Sequence, residues 1–258
     1  MDLGLTQRVA LVAGSSRGIG KAVAIKLLDE GARVCLTGRD EPSLNATVAE
    51  LLSRYSSHNV FGVSGDLTDS KVVESVFDAL QERWGGIDIL VANLGSGSGK
   101  TGWNQSVDQW ERLFQLNFWG SVRLAQSVIP RLIQRNSGCI VFVSSIVALE
   151  MTAAPLPYSA AKAALLNYSK NLAGMLAADH IRVNSVAPGN VLFPGGSWDR
   201  HLSQRREQVE EYISTQVPMQ RFGTPEEIAA LIAFLCSPQA AFSTGACYVV
   251  DGGQTHRI

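Results

Sequence analysis

Short runs of apolar residues recur along the chain, and longer segments with helical spacing separate them. The runs are Arg8–Ala13, Arg33–Thr37, Val60–Val63, Ile87–Ala92, Cys139–Ser144, Ile181–Val186 and Cys247–Val250. Their apolarity is continuous rather than alternating. A strand of that kind needs cover on both faces, as strands of a parallel sheet have. Between the runs, Gly20–Glu30 puts Val23, Ala24, Leu27 and Leu28 on one side. Ser70–Trp84 does the same with Val73, Val76, Phe77 and Leu80. Thr68 or Asp69 is placed to cap the second of these helices, and Thr224-Pro225-Glu226-Glu227 starts another near the C-terminus. This alternation predicts an α/β fold: one doubly wound domain over residues 1–258, with about seven parallel strands, helices on both faces and right-handed crossovers. Such sheets bind ligands at the C-terminal ends of their strands.

Composition narrows the function classes. Net charge is −1 and 46% of residues are hydrophobic, with no basic stripe for nucleic acid and no acidic tail. No apolar run approaches the roughly 20 residues of a membrane span, and the N-terminus lacks the pattern of an export signal. Cys35, Cys139, Cys236 and Cys247 each sit in an apolar run, which suits buried, reduced thiols in a cytoplasmic protein. Neither they nor the four histidines have metal-ligand spacing, so no metal site is expected.

Two glycine-rich loops compete as nucleotide sites. Gly14-Ser15-Ser16-Arg17-Gly18-Ile19-Gly20 directly follows the first strand and precedes a helix. Its glycines permit a tight turn and let backbone N–H groups approach phosphate oxygens. The spacing is G-x-x-x-G-x-G, and an ordinary βα turn is the plain alternative. Leu94–Thr101, LGSGSGKT, lacks only the first glycine of a triphosphate-binding loop. No helix follows at once, however. The next helix signal is Ser106-x-x-Gln109 or Asp108, too late for Lys100 and Thr101 to reach phosphate and magnesium.

A third motif carries acid–base chemistry. Tyr158 and Lys162 lie four apart in a helix that opens after Pro155 and Pro157, so they share a face. A phenol with a pKa of about 10 is a poor catalyst near neutrality, and a neighbouring ammonium is expected to lower it. A surface i,i+4 pair is the alternative. Ser145 ends the preceding strand, where its hydroxyl either holds a substrate oxygen or merely closes the strand. Asn117 lies in a long helix, where asparagine is mildly unfavourable; it has a polar task or is a solvated or core-satisfied amide.

Together these residues resemble the short-chain dehydrogenase/reductase family, and its 3-oxoacyl-carrier-protein reductase-like branch in particular. The resemblance runs through Ala13–Gly20, Asp66-Leu67, Ala92-Asn93-Leu94-Gly95, Asn117, Ser145, Tyr158-x-x-x-Lys162, Arg182–Gly189 and Val250-Asp251-Gly252-Gly253. It implies a Rossmann domain and hydride exchange between a nicotinamide cofactor and a small carbonyl or secondary alcohol. It implies Tyr158 as general acid or base, Lys162 on the nicotinamide ribose, Ser145 on the substrate oxygen and Asn117 on a water chain. The cofactor would meet Gly14, Ser16, Arg17, Gly18, Ile19 and Gly20 in the turn, Asp66 and Leu67 at the adenine, Asn93 and Gly95 in the cleft, and Pro188, Gly189 and Val191 beyond.

Ala92, Leu94, Ala148 and Phe193 depart from the family pattern. Leu94 is expected to narrow the cleft. Phe193 replaces a threonine that helps hold the carboxamide, leaving that task to the backbone of Val191. The second strand ends Leu36-Thr37-Gly38-Arg39 with no acid for a ribose hydroxyl, and Asp40 follows too late. Arg17 and Arg39 would suit a 2′-phosphate, favouring NADP(H) over NAD(H). Phe193–Gln204 has the glycines and polar tip of a lid, spanning about 190–215, where Trp198–His201 could read the substrate. Lys100 is a candidate contact for an anionic one. Ala160–Ala178 is apolar beyond one face, which suits a homodimer or homotetramer; extra burial within the chain is the rival. A dinucleotide-binding module without catalysis and a phosphate-loop nucleotidase at Gly95–Thr101 are the alternative functions.

Overall fold

The apolar runs become strands β1 (Val9–Val12), β2 (Arg33–Gly38), β3 (Val60–Ser64), β4 (Ile89–Ala92), β5 (Gly138–Val143), β6 (Ile181–Pro188) and β7 (Cys247–Val250). The computed structural model describes residues 2–256. All seven strands are parallel, in the order β3-β2-β1-β4-β5-β6-β7. The helices are α1 (Gly18–Asp29), α2 (Glu41–Leu52), α3 (Ser70–Trp84), α4 (Val107–Phe114), α5 (Gly120–Arg135), α6 (Leu156–Leu176), α7 (Ser197–Gln204), α8 (Arg206–Gln216) and α9 (Pro225–Cys236).

Successive strand residues point to opposite faces, and two cores result. Ala10 and Val12 pack with α1, α2 and α9 through Val23, Leu27, Leu44 and Ile232. Val9 and Leu11 pack with α3, α5 and α6 through Phe77, Val128 and Leu165. Each large aliphatic or aromatic side chain buried in these layers contributes about 1.5–3 kcal/mol. Strand order reverses between β1 and β4, and the loops there separate to open a cleft at the carboxyl ends.

Continuous burial holds for β1, β2, β4, β5 and β6 but not for the outer strands. β3 past Val60 and all of β7 alternate half-buried and exposed positions, as edge strands with less cover do. Edge position also corrects the expectation for the thiols: Cys35, Cys139 and Cys236 are buried, but Cys247 on β7 is exposed. The segment after Phe193, read as a polar lid loop, is instead the helix pair α7 and α8. Its apolar side (Trp198, Leu202, Tyr212, Ile213) closes a small third core around Val209, Val217 and Phe222.

Candidate active site

The carboxyl ends of the strands enclose one cleft of about 1540 Å³. Every catalytic and cofactor residue suggested by the sequence lines it except Gly18, Gly20 and Asn117. Those three shape the walls from behind.

At the floor, the turn between β1 and α1 brings Gly14 and Gly18 into left-handed backbone, with φ of 64° and 56°. Gly20 has a different constraint. A Cβ there would stand 2.2 Å from the Gly14 carbonyl oxygen and 2.6 Å from Asn93 Nδ2. Asn93 Nδ2 donates to that same carbonyl at 3.0 Å, tying the end of β4 to the turn. No side chain caps α1, whereas Asp40, Asp69, Ser106 and Thr224 cap α2, α3, α4 and α9. The first N–H groups of α1 are thus left for an anion, with the positive end of the helix dipole behind them. This cradle fits the pyrophosphate of a dinucleotide.

Beside the turn, Asp40 accepts a hydrogen bond from Ser43 N at 2.9 Å. Its carboxylate is engaged in the α2 cap. Arg39 lines the cleft with no hydrogen bond or ion pair among the described residues. Arg17 donates to the Gly195 carbonyl at 3.4 Å, linking the turn to the segment before α7. Asp66 accepts from Thr68 N and Oγ1, both at 2.9 Å, and holds the β3–α3 loop against the cleft.

The acid–base residues meet on the opposite wall. Tyr158 sits in the first turn of α6, partly buried, and shares the cleft wall with Ser145, just past the end of β5. Lys162 is one turn further on and only 3% exposed. Its Nζ donates to the Leu94 carbonyl at 2.9 Å and the Val143 carbonyl at 2.8 Å. Burial pulls this ammonium down to about 7. Burial also pushes the Tyr158 phenol up, with only the Ser145 hydroxyl opposing it. The expected lowering of that phenol by Lys162 is therefore not met in this structure. The ammonium is committed to two backbone carbonyls, and desolvation acts on both groups at once.

Asn117 shows why a mid-helix amide stands there. Helices α4 and α5 form one rod interrupted by a wide π turn at Gln115–Trp119. Asn117 Oδ1 accepts from Ser96 N at 2.9 Å, and Nδ2 donates to the Ser96 and Leu113 carbonyls at 3.2 and 2.9 Å. The buried side chain thus pins the loop after β4 and has no reach into the cleft. Gly95 threads between the catalytic candidates: a Cβ there would stand 2.7 Å from Asn117 Oδ1 and 2.9 Å from Lys162 Nζ. Gly97 lies along the Tyr158 ring, where a Cβ would come within 3.4 Å. The sequence singled out neither this contact nor Tyr212 in the far wall. The run of glycines hints at close approach, but not at which glycine faces the phenol.

Leu94–Thr101 is irregular chain, and the next helix begins only at Val107, capped by Ser106. No helix N-terminus backs Lys100, so the geometry of a triphosphate loop is lacking. Leu94 lines the cleft, and its side chain also seats on the start of α5, with Cδ1 2.8 Å from where a Cβ on Gly120 would stand. Phe193 packs its ring over Gly18, within 2.7 Å of where a Cβ would be. The neighbouring Val191 lines the cleft with its backbone N–H unpaired among the described residues.

Residues 13–255 match the family model described as enoyl-(acyl carrier protein) reductase. The 3-oxoacyl-acyl-carrier-protein reductase of Aquifex aeolicus is 34% identical over 253 residues, covering 98% of this chain and 99% of that protein. The chain belongs to the short-chain dehydrogenase/reductase family. It is an oxidoreductase that acts on CH–OH groups. Among solved structures, L-sorbose reductase from Gluconobacter frateurii, complexed with NADPH and L-sorbose, matches over 100% of both chains with a TM-score of 0.94 and 33% identity. A 7α-hydroxysteroid dehydrogenase complexed with NADH matches 99% of this chain and 97% of its own, with a TM-score of 0.89 and 29% identity. Both forms of the dinucleotide thus occur among similar short-chain dehydrogenases/reductases. The choice between them rests on each chain's own residues at the end of β2.

Proposed function

We propose that the chain is an NADP(H)-dependent carbonyl reductase, with Tyr158 as the proton donor. The observation that carries this is Ser145 and Tyr158 set together in the wall of the same cleft whose floor is the uncapped start of α1. Gly14–Gly20 would hold the pyrophosphate, Lys162 the nicotinamide ribose and the Val191 N–H the carboxamide. When bound, the nicotinamide supplies the hydride in reduction or takes it up in oxidation. Ser145 orients the substrate oxygen beside the phenol. Tyr158 passes its proton to that oxygen as negative charge develops there, and in alcohol oxidation the phenolate takes it back. Lys162 keeps the phenol supplied with a proton, and Asn117 positions the loop whose Leu94 carbonyl holds Lys162. A β-oxoacyl thioester and a keto-sugar are the substrate classes nearest to the similar proteins. A binding module without catalysis would take up NADPH but turn over no carbonyl on a broad panel.

Two outcomes test this reading. Arg39, unpaired beside a β2 end that offers no free carboxylate, favours a 2′-phosphate. Arg39→Ala is expected to cut kcat/KM for NADPH by about 10- to 100-fold, the worth of a charge-assisted hydrogen bond, and to leave NADH much less affected. Wild-type preference for NADH would overturn the NADP(H) assignment. The second outcome is the pH profile. Lys162 carries its ammonium below about 7 and loses it above. Reductive kcat/KM should be flat on the acid side and fall by up to about tenfold per pH unit on the alkaline side, with oxidation rising over the same window. A rate independent of pH across neutrality, with chemistry rate-limiting, would remove Lys162 from the proton path.

We also propose a cytoplasmic homo-oligomer, a tetramer or dimer. The outer side of α6 is not covered within the chain, where Met175 is 71% exposed, and Trp103 on the loop before α4 is 88% exposed. Among the described residues no helix is long and apolar enough to cross a membrane.

A further inference from the structure

Acidic side chains line one end of the cleft. Among the described residues these are Asp40 after β2 and Asp66 after β3, both at the far end of the strand order from β5, where Arg17 and Arg39 also lie. Ser145 follows β5, which lies between β4 and β6. The loop after β4 contributes Lys100, and the helices after β6 contribute Arg200 and Arg205. Cations therefore flank Ser145 and Tyr158 on both sides, with no acid among the lining residues there. None of the three makes an ion pair with a described residue. Arg200 has only a 3.5 Å contact to Ser197 Oγ, and the side chains of Lys100 and Arg205 have no acceptor. The nearby carboxylate of Asp199 is occupied, accepting from Gly195 N at 2.9 Å.

The rest of this wall is polar and donor-rich. His201, partly buried, has its charged form disfavoured by burial and by Arg205 and Arg200 beside it. Tyr212 is stacked on Trp198 at 5.1 Å and accepts from Asn190 Nδ2 at 3.0 Å. That leaves its own hydroxyl proton without an acceptor among the described residues. The Trp198–Tyr212–Phe222 cluster fixes this surface, so the donors are held on packed helices rather than on a free loop. Unpaired like charges facing one cavity repel each other, and a ligand of opposite charge relieves that repulsion.

We infer that the carbonyl substrate carries an anionic group, a carboxylate or a phosphate, which Arg200, Arg205 and Lys100 receive while Ser145 and Tyr158 hold its carbonyl. This rests on the reductase reading and adds the substrate's charge to it. Matched probes differing in charge test it: levulinate against methyl levulinate for a carboxylate, and dihydroxyacetone phosphate against dihydroxyacetone for a phosphate. In at least one pair the charged member is expected to have a kcat/KM about tenfold or more higher, and added salt should shrink that ratio. Arg200→Gln combined with Arg205→Gln should lower the ratio by about tenfold. Thermal melting checks that the variant folds, and the salt series on the wild-type enzyme stands without it.

Neutral members used as well as the charged ones in both pairs, or a ratio indifferent to both salt and substitution, would overturn the inference. If no probe is reduced, ligand-observed NMR on the NADPH-loaded enzyme separates the two ideas. Binding of an anion in preference to its neutral partner, lost in the double variant, supports the charge assignment and counts against the reductase reading. Failure of both anions to bind counts against the charge assignment itself.

Discussion

Tyr158→Phe is expected to lower kcat for carbonyl reduction by about 10²- to 10⁴-fold, the usual worth of a positioned proton donor. The substitution removes one oxygen and keeps the ring that lies along Gly97. No hydrogen bond of the Tyr158 hydroxyl to a described residue is given up, and water in the open cleft can fill the vacated place. The melting temperature should therefore stay within about 2 °C, as for substitutions away from the core. Steady-state assay beside a thermal melt checks both halves. A phenylalanine variant that kept wild-type turnover would show that the proton comes from elsewhere, and the assignment of Tyr158 would be withdrawn. The size of the effect matters because burial raises this phenol rather than lowering it. Burial thus favours the protonated form of this residue, the form a proton donor needs.

Gly20→Ala should be the most crowded of the glycine-to-alanine changes, and a damaging one. Its Cβ would stand 2.2 Å from the Gly14 carbonyl oxygen and 2.6 Å from Asn93 Nδ2. Neither atom can retreat cheaply: the first is backbone, and the second is bonded to that same carbonyl. Forcing them apart is expected to cost about 3 kcal/mol or more, a fall in melting temperature of roughly 6–12 °C for a chain of this size. Cofactor binding should be lost along with stability, because the same displacement swings the start of α1 away from the turn. A melt within about 2 °C of wild type would show that the turn is looser than these contacts imply. At Gly174, by contrast, nothing lies within 4 Å of an added Cβ, so Gly174→Ala serves as the control. In the last turn of α6 it should stabilise slightly, since alanine is the better helix former.

The two substitutions also divide what can be read at different ranges. The turn at Gly14–Gly20 was legible as a phosphate loop because its glycines follow a strand and open a helix. That Gly20 is needed for the approach of Gly14 and Asn93 was not legible, since Asn93 lies far along the chain. Asn117 was recognisable as out of place in a helix. The π turn and the bonds to Ser96 that explain it depend on how the loop after β4 folds back. For Phe193–Gln204, glycine and polar content pointed to a loop. Tertiary packing of Trp198 against Tyr212 and Phe222 made α7 and α8 instead. For β3 and β7, continuous apolarity pointed to full burial, but position at the sheet edge left them half open.

The sequence by itself determined the doubly wound sheet, the place of the nucleotide turn and the one-turn spacing of Tyr158 and Lys162. Each of these is a local pattern of period, turn chemistry or helical repeat. Only the tertiary structure decided how those two groups titrate and which charges face the substrate. Desolvation and Coulomb forces depend on what the folded chain brings near: the carbonyls of Leu94 and Val143 around one ammonium, and arginines from beyond β6 across from a lysine after β4.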